Sequence, residues 1–204
     1  MSASKNVSRR GRPDYWVYDI ESCLSPAECQ EVIRVAKQHG LHNSEVYGSA
    51  ADSVNNEARI SETAWLPNNK SPIVEKVSRL CQELTLYPIE NMEDLQVVRY
   101  PPGGFFKPHY DCCDGGPDEC RRMNAQGGPR RVTMIIYLND DYQGGETMFP
   151  KMGFQVVPKT GKAVVFWSTT DTDEVIRDSF HGGNPVIGGE KWICNKWLHP
   201  MRYN

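Results

Sequence analysis

Between Ser25 and Gly40 the apolar residues Cys29, Val32, Ile33 and Ala36 recur at three- and four-residue spacing, which lays them along one face of an α-helix. Ser25-Pro26-Ala27-Glu28 has the pattern of a capping box, with Pro26 at the first helical position and Gly40 as the stop. A second helix is predicted to begin at Ser71-Pro72, with Val74, Val77, Leu80 or Cys81, and Leu84 on its buried side. From Leu95 onward the period shortens. Runs rich in β-branched and aromatic residues at 95–100, 131–138, 154–157, 163–167 and 192–198 are separated by Gly, Pro, Asn and Asp, the punctuation of short strands. Two helices followed by many strands predict an α+β domain, its helices packed on one face of a β-sandwich or jelly roll.

Two stretches lack a period. Residues 42–64 are polar and read as a long loop, of the size often used as a lid or binding loop. Residues 1–14 hold a basic cluster from Lys5 to Arg12 and read as a flexible, solvated arm, which leaves 15–204 as a single domain. Composition narrows the class further. In 204 residues, 39% are hydrophobic and 24% charged, with a formal net charge of −3. No apolar run reaches the roughly 18 residues of a membrane span, and the charge balance gives no electrostatic case for nucleic acid or an anionic membrane as partner. Met1 is followed by polar residues without an apolar segment. The expected compartment is therefore the cytoplasm, with the endoplasmic reticulum lumen as the alternative where a targeting segment has been removed.

The candidate chemistry begins at His109-Tyr110-Asp111. On a strand, positions i and i+2 face the same side, so an imidazole and a carboxylate converge on one point. With His181 as a third donor they form the two-histidine, one-carboxylate set that leaves coordination positions open on a non-heme iron(II). Ten residues later Lys191 opens the last strand, where alternation places Lys191, Ile193, Asn195 and Trp197 on one face. If that face lines the interior, an ammonium is buried there, which is costly unless an anion meets it. The seven cysteines are odd in number, and Cys112, Cys113 and Cys120 crowd one loop. Two of them can pair, stay reduced, or bind zinc together with His109.

The run from Tyr100 through Gly103, Phe106 and His109 to Asp111 resembles the YxxGxxFxxHxD signature of the prolyl 4-hydroxylases, which are 2-oxoglutarate- and Fe(II)-dependent dioxygenases. Gly144-Gly145-Glu146-Thr147-Met148-Phe149-Pro150 is similar to that family's GGxTxFP element, and His181 through Pro185, Val186 and Gly189 to Lys191-Trp192 resembles its HxGxPVxxGxKW end. Cys23-Leu24-Ser25, Arg59-Ile60-Ser61 and the strand Arg131–Asn139 extend the likeness from about Tyr18 to His199.

The resemblance implies a double-stranded β-helix with iron held by His109, Asp111 and His181. It implies that Lys191 pairs with the distal carboxylate of 2-oxoglutarate, helped by hydrogen bonds from Tyr100 and Thr147. Ascorbate is implied as the reductant. Arg59 and Ser61, with Glu93, Arg130 or Arg131, and Trp197, match positions that contact peptide. The expected function is peptidyl-proline 4-hydroxylation in extended Pro-rich or collagen-like segments, releasing succinate and CO2. The alternatives are an oxygenase of another residue or a small molecule, an inactive jelly-roll binding module, and a zinc hydrolase. Tyr137 and Trp167 read as core.

Overall fold

A computed structural model describes residues 6–44 and 58–203. In chain order its elements are β1 (Val7–Arg12), β2 (Tyr15–Ile20), α1 (Pro26–His39), β3 (His42–Asn43), β4 (Arg59–Ile60), β5 (Glu62–Leu66) and α2 (Pro72–Thr85). There follow β6 (Leu95–Tyr100), β7 (Phe105–His109), α3 (Pro117–Met123), β8 (Val132–Tyr137), β9 (Gln143–Gly144) and β10 (Thr147–Phe149). The chain closes with β11 (Phe154–Val156), β12 (Ala163–Trp167), β13 (His181–Gly183), β14 (Val186–Gly188) and β15 (Lys191–Leu198).

The strands form a large sheet in the order β1-β2-β12-β8-β15-β6-β5-β3, a smaller one in the order β11-β10-β13-β7-β4, and a separate pair, β14-β9. All the pairings are antiparallel, as a jelly roll requires. Every residue of β8 and β15 is buried, because these central strands are covered on both faces. One face holds Ile135, Tyr137, Val98 and Ile193, packed with Phe149 and Val186. The other holds Met134, Ile136, Val97 and Cys194, in one core with Val32, Ile33 and Ala36 of α1 and Val74 and Val77 of α2. Both helices begin as their sequences predict. The Ser25 hydroxyl caps α1 by accepting from the Glu28 amide, while the Glu28 carboxylate accepts the Ser25 N–H at 2.9 Å. Leu86, at a φ of 64°, turns the chain out of α2.

Two expectations need correction. The polar arm is in part a strand: β1 pairs along its whole length with β2, from Val7 opposite Ile20 to Arg12 opposite Tyr15. Its side chains are exposed throughout, so no apolar alternation announces it, and the ladder is made by backbone hydrogen bonds. The stretch read as a loop over 42–64 contains β3, β4 and the start of β5, and its residues 45–57 lie outside the described ones. Of the alternatives for the cysteine loop, the structure has the pairing: a disulfide joins Cys113 to Cys120 of α3, which removes both thiols from any zinc site.

The edge strand also carries charge to the core. Arg10 Nε lies 2.9 Å from Oδ2 of Asp19, whose side chain is only 3% exposed. Replacing Arg10 by methionine leaves that carboxylate without its cation. Because the arginine is itself half in water, the expected loss is about 1–2 kcal/mol, below the value for a fully buried pair. Thermal denaturation checks it; an unchanged midpoint would show the pair to be energetically idle.

Candidate active site

β7 ends at His109, and β13 begins at His181 directly opposite it in the antiparallel ladder. Asp111 follows two residues after His109. His109 Nε2 lies 3.6 Å from Asp111 Oδ1, and His181 Nε2 lies 3.6 Å from Asp111 Oδ2. The three ligand atoms all lie within 4.8 Å of one another, so one ion can take all three. Each Nδ1 faces a backbone carbonyl, Lys107 O at 2.8 Å for His109 and Ser179 O at 2.9 Å for His181. A carbonyl only accepts, so both Nδ1 atoms carry the proton and both Nε2 atoms present a lone pair. Thr133 donates to Asp111 Oδ2 at 2.6 Å and fixes the carboxylate.

Electrostatics favour the metal-binding forms. Burial pushes the His181 imidazole down to about 4, so it is neutral at ordinary pH. Burial opposes the charge of Asp111, but the two imidazoles beside it outweigh that and hold its carboxyl below the usual carboxylate range. Phe106 stacks on the His109 ring at 3.7 Å and Phe166 meets the His181 ring edge-on at 4.7 Å. Cys112, next to Asp111, is different in kind. Burial pushes its thiol up to about 12, and its Sγ donates to Ser168 O, so it is a packed thiol and no ligand.

Deeper in the same pocket lie Tyr100, Thr147, Lys191, Ile193 and Asn195. The alternation read from the last strand holds, and Trp197 lines the pocket too. Lys191 is 2% exposed and sits opposite Tyr100 in the ladder. Its ammonium donates to Gly145 O at 2.7 Å and meets no carboxylate within ion-pair distance among the described residues. Burial pushes it down to about 7, opposed only by Glu146 at longer range. Tyr137, read as core, has a task here. Its hydroxyl donates to Thr147 Oγ1 at 2.6 Å, which leaves the Thr147 proton free to turn into the pocket.

A groove of about 790 Å³ adjoins this pocket, with Asp111 in its wall. Glu93 accepts two hydrogen bonds from Arg130, at 2.5 and 2.8 Å, and faces His199 Nε2 at 2.9 Å. Burial opposes its charge, but Arg130 and His199 hold it down to about 2. Arg130 lies 3.7 Å above the Trp197 ring, and Trp65 lies 5.8 Å from the same ring. Of the two candidate arginines, Arg130 lines the groove, whereas Arg131 pairs with Asp171 and Asp173. Arg59 and Ser61 do not line this groove, and Arg59 packs instead against Tyr100 and Phe106 of the metal pocket. Both are buried, Arg59 donates to Ser61 at 2.7 Å, and its guanidinium stacks over Phe106 at 4.6 Å. His199 was not anticipated, although it continues the alternation of Lys191, Ile193, Asn195 and Trp197 by one more step.

Residues 95–199 match the family model of the 2OG-Fe(II) oxygenase superfamily. Prolyl 4-hydroxylase 5 of Arabidopsis thaliana is 32% identical over 226 residues, covering 97% of this chain and 76% of that protein. The prolyl 4-hydroxylase alpha-1 subunit of Gallus gallus is 38% identical over 142 residues, covering 69% of this chain and 27% of that longer one. The viral collagen prolyl hydroxylase of Paramecium bursaria Chlorella virus-1, solved with 2-oxoglutarate, superposes with a TM-score of 0.74 at 29% identity. That match covers 89% of this chain and 94% of the viral one.

The chain belongs to the prolyl 4-hydroxylase family of 2OG-Fe(II) oxygenases. Iron(II) is accordingly its metal and 2-oxoglutarate its co-substrate, with the ascorbate typical of prolyl hydroxylases as reductant. The donor set fits that metal: two imidazoles whose Nδ1 atoms meet backbone carbonyls and one carboxylate held by Thr133. The pocket fits that co-substrate, since its buried ammonium needs an anion and its hydroxyl groups supply further hydrogen bonds. In this oxygenase the zinc-hydrolase alternative falls away.

Proposed function

We propose that this oxygenase hydroxylates prolyl residues within extended peptide segments, with iron held by His109, Asp111 and His181. The observation that carries the reading is the unpaired, buried ammonium of Lys191 at the base of the pocket whose upper wall bears the two histidines and the aspartate. Lys191 would hold the distal carboxylate of 2-oxoglutarate, with Tyr100 and Thr147, which line the same pocket, donating hydrogen bonds to that group. Iron with 2-oxoglutarate supplies activation of dioxygen, coupled to release of succinate and CO2 and oxidation of a substrate C–H bond.

The protein's own part is placement. Phe106, Phe149 and Phe166 pack against the two histidine rings and give the metal site an apolar wall, which would limit side reactions there. No general base is needed at the target carbon. Prolyl peptides suit the groove because a polyproline II segment is already extended and offers carbonyl acceptors with few N–H donors. Arg130 supplies donors, and Trp65 and Trp197 an aromatic wall. The Glu93 carboxylate is occupied by Arg130 and His199, so it holds the arginine in place and leaves the peptide to others.

Succinate release with poly-proline and collagen-like peptides, followed by mass spectrometry of the products, tests the reading. The expected result is peptide-stimulated turnover and one added oxygen on proline. Oxygen on another residue, or turnover that ignores every peptide, would replace it with the broader oxygenase reading. A smaller test addresses the second hydroxyl layer. Tyr137→Phe removes the bond that orients Thr147 and is expected to raise the KM for 2-oxoglutarate about five-fold, the worth of one neutral hydrogen bond, with iron content unchanged. An unchanged KM would mean that Tyr137 only fills space.

A further inference from the structure

On β15 every second residue faces the active-site pocket, and the intervening ones, Trp192, Cys194 and Leu198, belong to the core beneath the helices. Lys196 falls in that second set. It is a lysine on an otherwise apolar face, and its exposure is zero. Burial there pushes its ammonium down to about 8, so the fold bears a cost at this position. Its charge has no carboxylate partner among the described ion pairs, and its donors go elsewhere.

The ammonium donates to the backbone carbonyl of Glu93 at 2.6 Å and to Asn68 Oδ1. Asn68 in turn donates to the carbonyl of Met92 at 3.3 Å and accepts from Ser78 at 3.0 Å. Two consecutive carbonyls of the segment leading into β6 are thus held from inside the protein. The same segment is tied to the end of β15 by the Glu93 N–H, which donates to Trp197 O at 3.0 Å. Residues 92–94 lie between the 3-10 turn at Ile89–Asn91 and β6, with only an isolated bridge from Met92 to Leu198. What leaves this segment on its other side is the Glu93 carboxylate, which fixes Arg130 and His199 over the groove.

We propose that Lys196 is a positioning residue for the peptide groove, acting through the backbone of Glu93 on the Glu93–Arg130–His199 cluster and on Trp197. The proposal rests on the prolyl-peptide reading above for its kinetic consequence, but its structural consequence does not. An apolar side chain of the same length fills the space equally well and leaves the Glu93 carbonyl unheld. The cluster then keeps its members and loses its register against Trp197. The 2-oxoglutarate end lies on the opposite face of the strand and is untouched.

Lys196→Met separates these effects. Its expected signature is a peptide KM raised about ten-fold while the KM for 2-oxoglutarate stays within about two-fold of wild type, since only the groove has moved. Ser78→Ala, which removes the support of Asn68 together with a bond to Val74 O inside α2, is expected to shift the peptide KM in the same direction by a smaller factor. A second readout needs no substrate. The imidazole N–H resonance of His199 that points to Glu93, assigned by its loss in His199→Gln, is expected to move in Lys196→Met.

Unchanged peptide KM and unchanged resonance in a folded variant would overturn the proposal, as would equal losses at peptide and 2-oxoglutarate. If Lys196→Met does not fold, Ser78→Ala carries both readouts and decides in the same way. If the wild-type protein shows no peptide-dependent turnover, the prolyl reading fails, and the resonance still decides the role of Lys196.

Discussion

Replacing His181 by alanine is expected to lower succinate release below about a thousandth of the wild-type rate, because one of three metal donors is removed outright. Its imidazole is buried and makes no strand hydrogen bond of its own beyond Nδ1 to Ser179 O. The ladder between β13 and β7 is made by backbone, so the sheet survives. Truncating a buried ring leaves a cavity and costs about 2–4 kcal/mol, which a domain of this size tolerates. Iron content by elemental analysis, circular dichroism and succinate release together check this. Turnover retained in a folded His181→Ala variant would break the assignment of the centre.

Lys191→Met carries the second large effect. Methionine keeps the length of the stem and removes the ammonium, so the KM for 2-oxoglutarate is expected to rise about 100-fold, in the range of a charged hydrogen-bonded pair. Iron binding stays as it was. The sign of the pH dependence is a sharper test. Lysine has an ordinary value of 10.5, and burial brings Lys191 to about 7. Between those values the unfolded chain binds more protons than the folded one. Stability of the ligand-free protein therefore rises with pH from about 7 towards 10.5. Affinity for the anionic co-substrate runs the other way, weakening as the ammonium loses its proton above about 7. Denaturation and KM measured across this window should slope in opposite directions in wild type, and Lys191→Met should lose its contribution to both. Equal loss of iron and 2-oxoglutarate binding in Lys191→Met would contradict the assignment.

Much of the site was legible because strand geometry is periodic. The HxD triplet and the face shared by Lys191, Ile193, Asn195 and Trp197 follow from alternation, and the pocket keeps that order, whereas the distant His181 is reached through the family resemblance. The same rule applied one step further reaches His199. Applied to β8, it puts Thr133, Ile135 and Tyr137 on the pocket side, with Thr133 bonded to Asp111 and Tyr137 to Thr147. Sequence does not mark Thr133 and Tyr137 as site residues, because a buried Thr or Tyr has the same local pattern whether it fills space or donates a hydrogen bond. The choice between Arg130 and Arg131 was also closed to sequence, since adjacent residues on a chain point to opposite sides.

Local pattern determined the helix caps, the shift from helical to strand period and the placing of His109 and Asp111 on one side of the chain. Each depends on residues a few positions apart. Partners distant in sequence were decided by the tertiary structure alone: Arg10 with Asp19, Glu93 with Arg130 and His199, and Lys196 with the Glu93 carbonyl. The physical reason is burial. A charge in water needs no partner and leaves no trace in the chain, whereas a charge taken out of water must find one, and only the packed sheets determine which groups are within reach.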